Sequence, residues 1–132
     1  MKRISAIILV IVLALSMAGC SRLSLSEEAK GQVVYAYEEI SFADELTASE
    51  VQAVITILDG KKQYSGFVTG VPSCGFDDDI AIIIDGERFA LACDDCGTLQ
   101  NCNNRLFIDI SDEERAILES IFTSRGGTFP CI

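Results

Sequence analysis

Six cysteines and twenty acidic residues carry most of the reactive groups in this 132-residue chain. Cys74, Cys93, Cys96, Cys102 and Cys131 fall in its second half, interleaved with the acidic runs Asp77-Asp78-Asp79 and Asp94-Asp95. Cys93-Asp94-Asp95-Cys96 has the C-x-x-C spacing of a thiol oxidoreductase. The two aspartates between the thiols oppose that chemistry, because like charge raises a thiol pKa and no helix pattern opens at Cys96 to lower it. Cys74, Cys93, Cys96 and Cys102 also offer four thiolates to zinc, but their spacing lacks the second close pair of a zinc ribbon. The five aspartates, with Asn101, Asn103 and Asn104 nearby, supply the oxygen ligands that Ca²⁺ prefers. Their run lacks the alternating ligands and central glycine of an EF-hand loop. A carboxylate acid and base for hydrolysis need one apolar and one polar environment, and no such division is marked here.

The chain contains no histidine. That excludes Ser-His-Asp and Cys-His nucleophile pairs, an imidazole general base and imidazole metal ligands. Any catalysis would rest on carboxylate, lysine, tyrosine or cysteine alone.

The first twenty residues, MKRISAIILVIVLALSMAGC, place Lys2 and Arg3 before an apolar run from Ile4 to Ala18, then Gly19 and Cys20. A charged start, an apolar centre and a small-residue end make a secretory leader, and the run is short of the ~20 residues of a membrane span. The closing Ala-Gly-Cys, with Met17 where leucine is usual, resembles the lipobox of bacterial lipoprotein precursors. The resemblance implies cleavage before Cys20, lipidation of its sulfur, and anchoring of the mature chain to the outer side of a membrane by two or three acyl chains. Two such signals suffice for stable attachment. It divides the chain into a leader at 1–19, a lipidated Cys20 with a polar tether to residue 31, and one domain at 32–132. Without the leader, eight bases stand against twenty acids, a charge of about −12. So acidic a surface argues against nucleic acid as a partner.

Export and lipidation leave five cysteines in an oxidising compartment, which points to two bridges and a spare thiol. The elements that position them follow from periodicity. Residues 33–42 read as one strand. Thr47 and Glu50 form a capping box, flanked by a Leu46–Val51 staple, that opens a helix with Val51, Val54, Ile55 and Leu58 inward and Gly60 as its stop. A strand is expected at 63–71. Ile80–Ile84 and Glu87–Cys93 form a hairpin about Asp85-Gly86, a type I′ turn signal. A polar loop at 94–104 leads to a strand at 105–110. Ser111 and Glu114 cap a last helix with Ile117, Leu118, Ile121 and Phe122 inward. The order β-α-β-β-β-β-α predicts an α+β domain, a small antiparallel sheet with two helices on one face, stapled by disulfides.

The turn sets a register in which paired positions add to 171, so Ile82 faces Phe89. Extended, it sets Cys93 against Asp78 and Cys74 near Cys96. Because a bridge needs Cα atoms within about 7 Å, Cys74–Cys96 is the first expectation and Cys74–Cys93 the second. Cys131 is expected to pin the tail. The functional expectation is a lipid-anchored, non-enzymatic extracytoplasmic module that binds a protein or small molecule, such as an inhibitor of an envelope enzyme. The alternatives are a divalent-cation domain at the acidic corner and a thiol–disulfide enzyme using Cys93 and Cys96.

Overall fold

The computed structural model describes residues 21–66, 70 and 74–129. Its strands are β1 (Gly31–Tyr37), β2 (Ile40–Glu45), β3 (Ile80–Ile84), β4 (Glu87–Leu91), β5 (Thr98–Asn101) and β6 (Phe107–Asp109), and its helices are α1 (Ala48–Leu58) and α2 (Asp112–Thr123). The strands form one antiparallel sheet in the order β2-β1-β3-β4-β5-β6. Alternation along each strand turns Val33, Tyr35, Ile80, Ile82, Ile84, Phe89, Leu91, Leu99 and Ile108 to one face, where they join the buried residues of both helices in one core. The expected class, an antiparallel sheet with two helices and a disulfide, is the one formed.

The hairpin forms as read. Asp85 and Gly86 both have positive φ, 50° and 76°, as a type I′ turn requires, and Ile82 pairs with Phe89 and Ile84 with Glu87. Both capping boxes are present: Thr47 with Glu50, and Ser111 with Glu114.

Two strand assignments change. The stretch read as one strand folds back on itself, with Tyr37 paired to Ile40 across Glu38-Glu39. Glu-Glu is no turn signal, and Glu38 is held at φ 53°, a conformation that costs a side chain about 1 kcal/mol. The expected loop at 94–104 contains β5, whose four residues gain partners on both sides, from β4 and β6. Gly97 permits this by close approach: a Cβ there would lie 2.8 Å from the Ile110 carbonyl oxygen. Of the strand expected at 63–71, Tyr64 makes a single bridge to Phe107; residues 67–69 and 71 lie outside the described residues.

The polar tether is also corrected. Leu23 and Leu25 are buried in the core, Leu23 exchanges backbone hydrogen bonds with Gly60 and Lys61, and Ser26 N–H donates to Asp85. Two leucines spaced by two residues present one apolar edge, so the segment docks instead of spanning free space. On α2, Ile117 is 46% exposed while Arg115 is buried in its place. Its guanidinium donates to the carbonyls of Ala92 and Cys96 at 2.9 and 2.6 Å, partners that no helical periodicity reveals.

Replacing Glu38 with glycine removes the left-handed strain at the β1–β2 turn, less the extra chain entropy that glycine loses on folding. Glu38→Gly is expected to raise stability by about 0.5 kcal/mol, read as a higher urea midpoint at unchanged m-value. A lower midpoint would mean the Glu38 side chain contributes more than its backbone costs.

Candidate functional site

The cysteines and aspartates singled out by spacing do not converge on one point. Cys74 and Cys96 are joined, with Cα atoms 5.9 Å apart. Cys93 is half-buried against the core on the helix-bearing face, so the C-x-x-C pair is divided between a disulfide and a packing position. Cys102 is a thiol outside that bridge, with its Sγ 3.8 Å from the Gln100 carbonyl. Burial first, and the nearby Asp78 carboxylate second, push its pKa up to about 11, which makes it a poor nucleophile at neutral pH. Cys20 and Cys131 lie outside the described residues.

The hairpin register does not run on to Asp78. Asp77 accepts the Asp79 amide, and the Ile80 amide donates to the Asp77 carbonyl, so 77–79 form a turn that ends the pairing with β4, while the Asp79 carbonyl still accepts the Ala36 amide of β1. The Cys93 amide therefore bonds the Gly75 carbonyl. Asp78 pairs with Arg105 at 3.2 Å, while its carbonyl accepts from Arg88. Asp94 accepts the amides of Cys96 and Gly75 at 3.2 and 3.4 Å and thereby braces the bridged loops. Asp95 is exposed. Among the described residues, the one cluster of three metal-ligand atoms comprises Cys74, Asp94 and Cys96. Its two sulfurs are consumed by the disulfide and offer no thiolate.

A different surface gathers charge and unpaired backbone. The sheet has two edges, and Tyr64 closes β6 with amide–carbonyl bonds to Phe107 at 3.0 and 2.9 Å. The β2 edge is open: among the described residues no strand pairs with its outer side. The Leu46 amide donates inward to the Gly31 carbonyl, and antiparallel alternation then turns the N–H groups of Ser41, Ala43 and Glu45 outward. All of β2 except Phe42 is exposed. Glu38 and Glu39 stand at one end of it, Asp44 and Glu45 at the other. Next to Glu45 opens a groove of about 430 Å³, rimmed by Glu27, Glu28 and Lys30 and floored by Leu46 and Val51.

Ion pairs tie the two helices together at both ends, and one of them reaches this edge. Arg125, just past α2, contacts Glu50 in the first turn of α1 at 2.8 Å, Asp44 of β2 at 3.5 Å and the Glu45 carbonyl at 3.4 Å. Lys61, just past α1, contacts Glu114 in the first turn of α2 at 2.9 Å. Each helix thus has an acid at its N-terminus and a cation beyond its C-terminus, as the helix dipole favours. The bond from Arg125 holds the Glu50 carboxyl below its ordinary range against the opposing effect of burial, assisted by the Thr47 amide. Glu114 is also lowered: burial works against ionisation, but Lys61 and the Ser111 amide outweigh it.

Comparison with protein-family models, with curated proteins and with solved structures yields no match to this chain, so its own residues carry the functional reading.

Because Glu50 has a folded-state pKa below its ordinary 4.5, its contribution is complete above that pH and is lost as pH falls through the lowered value. The urea midpoint is expected to fall below about pH 4.5, more steeply in the native chain than in Glu50→Gln. Equal slopes would show that the Arg125 clamp does not bias this titration. Millimolar Ca²⁺ is expected to leave the melting temperature unchanged, since Asp78 and Asp94 already have internal partners. A rise abolished by Asp78→Asn with Asp94→Asn would restore a cation site at this corner.

Proposed function

We propose that the chain is a lipid-anchored extracytoplasmic binding module that receives an extended, cationic segment of a partner along the β2 edge. The open, acid-flanked edge carries this reading. Strand addition draws affinity from outward N–H and C=O groups and selectivity from side chains beside them. Edge strands are commonly blunted by lysine, proline or a cover. β2, Ile-Ser-Phe-Ala-Asp-Glu, contains neither lysine nor proline. Its flanking carboxylates disfavour acidic strands and attract basic ones.

The route of the N-terminal segment supports the same arrangement. The Gln63 amide bonds the Ser21 carbonyl, so the residue after Cys20 already belongs to the fold. Gln63 adjoins Tyr64, which lines the β6 edge. A lipid on Cys20 would therefore attach at the β6 end of the sheet with no free tether. The open β2 edge lies five strand spacings away, roughly 24 Å. An anchor at one edge leaves the other available to a partner in the envelope. Missing imidazole and an unreactive Cys102 both weigh against an enzyme.

A fluorescent ten-residue peptide of alternating lysine and valine is the probe. It is expected to bind saturably by anisotropy, while a glutamate–valine counterpart is not. Ala43→Pro deletes an outward N–H and no ladder bond, so it is expected to abolish binding at unchanged circular dichroism and melting temperature. Glu39→Gln with Glu45→Gln is expected to weaken binding several-fold and flatten its salt dependence. Undiminished binding by folded Ala43→Pro, or none by the native chain, would overturn the proposal.

A further inference from the structure

We infer, on the reading of β2 as a receiving edge, that the groove beside Glu45 seats a lysine side chain of the incoming strand. At about 430 Å³ the groove falls within the ~300–1,000 Å³ of ligand pockets. Its floor is apolar and its rim acidic. Leu46 and Val51 are buried and close on Gly31, where a Cβ would lie 2.6 Å from Leu46 Cδ1 and 3.4 Å from Val51 Cγ2. Glycine there lets both side chains settle onto the β1 backbone. The Leu46 amide bonds the Gly31 carbonyl at 2.9 Å and holds the two walls together. The rim is fixed as well. The Ala29 amide bonds the Ser26 carbonyl at 3.1 Å and the Glu28 amide bonds the Ser26 hydroxyl at 3.3 Å, while the Ser26 amide is held by the Asp85 carboxylate at 3.1 Å. Glu27 and Glu28 thus stand on a turn tied to the central hairpin. A preformed site loses less ordering entropy on binding.

The charge of the lining selects its ligand. Glu27, Glu28 and Glu45 line the groove against Lys30 alone. Acids close by are engaged, Asp44 and Glu50 with Arg125 and Glu114 with Lys61. Among the described residues Glu27, Glu28 and Glu45 make no ion pair. A ligand for this site has an apolar stem for the floor and a cationic head for the rim. Lysine supplies both: a four-carbon stem that covers apolar surface, and an ammonium with three N–H donors that stays at the wet rim. The planar fork of arginine suits one carboxylate taken bidentately, whereas several separate carboxylates suit the compact ammonium.

The groove also adjoins the last residue of the open edge. Phe42 stacks on Tyr35 at 5.1 Å and Asp44 reaches Arg125, so these side chains lie on the helix-bearing face, and Leu46 continues their series. A strand bonded to the Glu45 amide and running past it sets one residue opposite Leu46, with its side chain on that same face. That residue is the lysine.

The full chain, in non-ionic detergent at constant ionic strength, is titrated with pentylammonium and with methylammonium, and the amide resonances of Ala29 and Gln52 are followed. The two ions have the same charge, and only the first has a stem. Pentylammonium is expected to shift both resonances saturably, at about one-tenth of the concentration that methylammonium requires. Ala48→Phe, at an exposed position of the lining, is expected to abolish the response at unchanged melting temperature. Glu28→Gln is expected to weaken it several-fold. In a second arm the lysine–valine peptide is compared with one carrying 2,4-diaminobutyrate, two methylenes shorter, in place of every lysine. The shorter peptide is expected to bind the native chain about tenfold more weakly, while the two bind Ala48→Phe alike. Pentylammonium acting no better than methylammonium, or equal binding of both peptides by the native chain, would overturn the inference. Absence of binding by either peptide, with the pentylammonium response intact, would overturn the edge and not the groove.

Discussion

The type I′ turn at Asp85-Gly86 is the constraint on which the rest of the sheet depends. Strand side chains alternate with period two, so a slip of one residue would send Ile80, Ile82 and Ile84 to the far face and bring Ala81 and Ile83 to the core. With the turn in place, β3 offers one edge to β1 and β4 offers the other to β5, and the six-strand order grows outward from this pair. Beyond the hairpin that register ends, and the Cys93–Gly75 backbone bond with the Asp94 carboxylate on the Gly75 and Cys96 amides holds Cys74 beside Cys96. A two-residue turn thus governs the core and the strand order together.

Over that sheet the helices run antiparallel, pinned by an ion pair at each end. The carboxylates of Glu50 and Glu114 each cap a helix and also receive a cation from beyond the other helix. Exposed pairs contribute little singly. Here the partners are partly covered and prepositioned by the capping boxes, so less side-chain freedom is lost in making the second contact. Arg115 has a related role inside: a buried cation satisfied by two carbonyls ties α2 to the loop that bears the disulfide. Arg125 extends the clamp to β2, which ties the open edge to the body of the domain.

The two sheet edges have opposite fates, and the proposed function follows from that asymmetry. β6 is closed by Tyr64, beside the point where the N-terminal segment enters the fold. β2 is open, exposed and flanked by acids. An unpaired backbone edge is a ready means of recognition.

Some of this was legible along the chain. Capping boxes, the Asp-Gly turn and the helical stripe of α1 are local patterns whose energetics involve neighbours within about four residues, and each formed where the residues indicated. The Cys74–Cys96 bridge was also legible, because a hairpin brings the two segments beyond its open end together even though its register stops short of Asp78. The β1–β2 turn was not, since nothing in Glu38-Glu39 favours positive φ; pairing of the flanking strands imposes it. Nor was β5, whose short polar Thr-Leu-Gln-Asn becomes a strand through ladders supplied by β4 and β6. The acidic corner was read as one cluster because sequence proximity cannot reveal that Arg105 takes Asp78 and two amides take Asp94. Leu23 and Leu25, within a polar stretch, found the core by the same long-range means. The sequence by itself therefore determined the class of fold, the caps and the central register, whose signals are local, and pointed to the staple through the hairpin that brings its two loops together. Tertiary structure alone decided which edge stays open and which charges are neutralised, because each depends on groups brought together from distant parts of the chain.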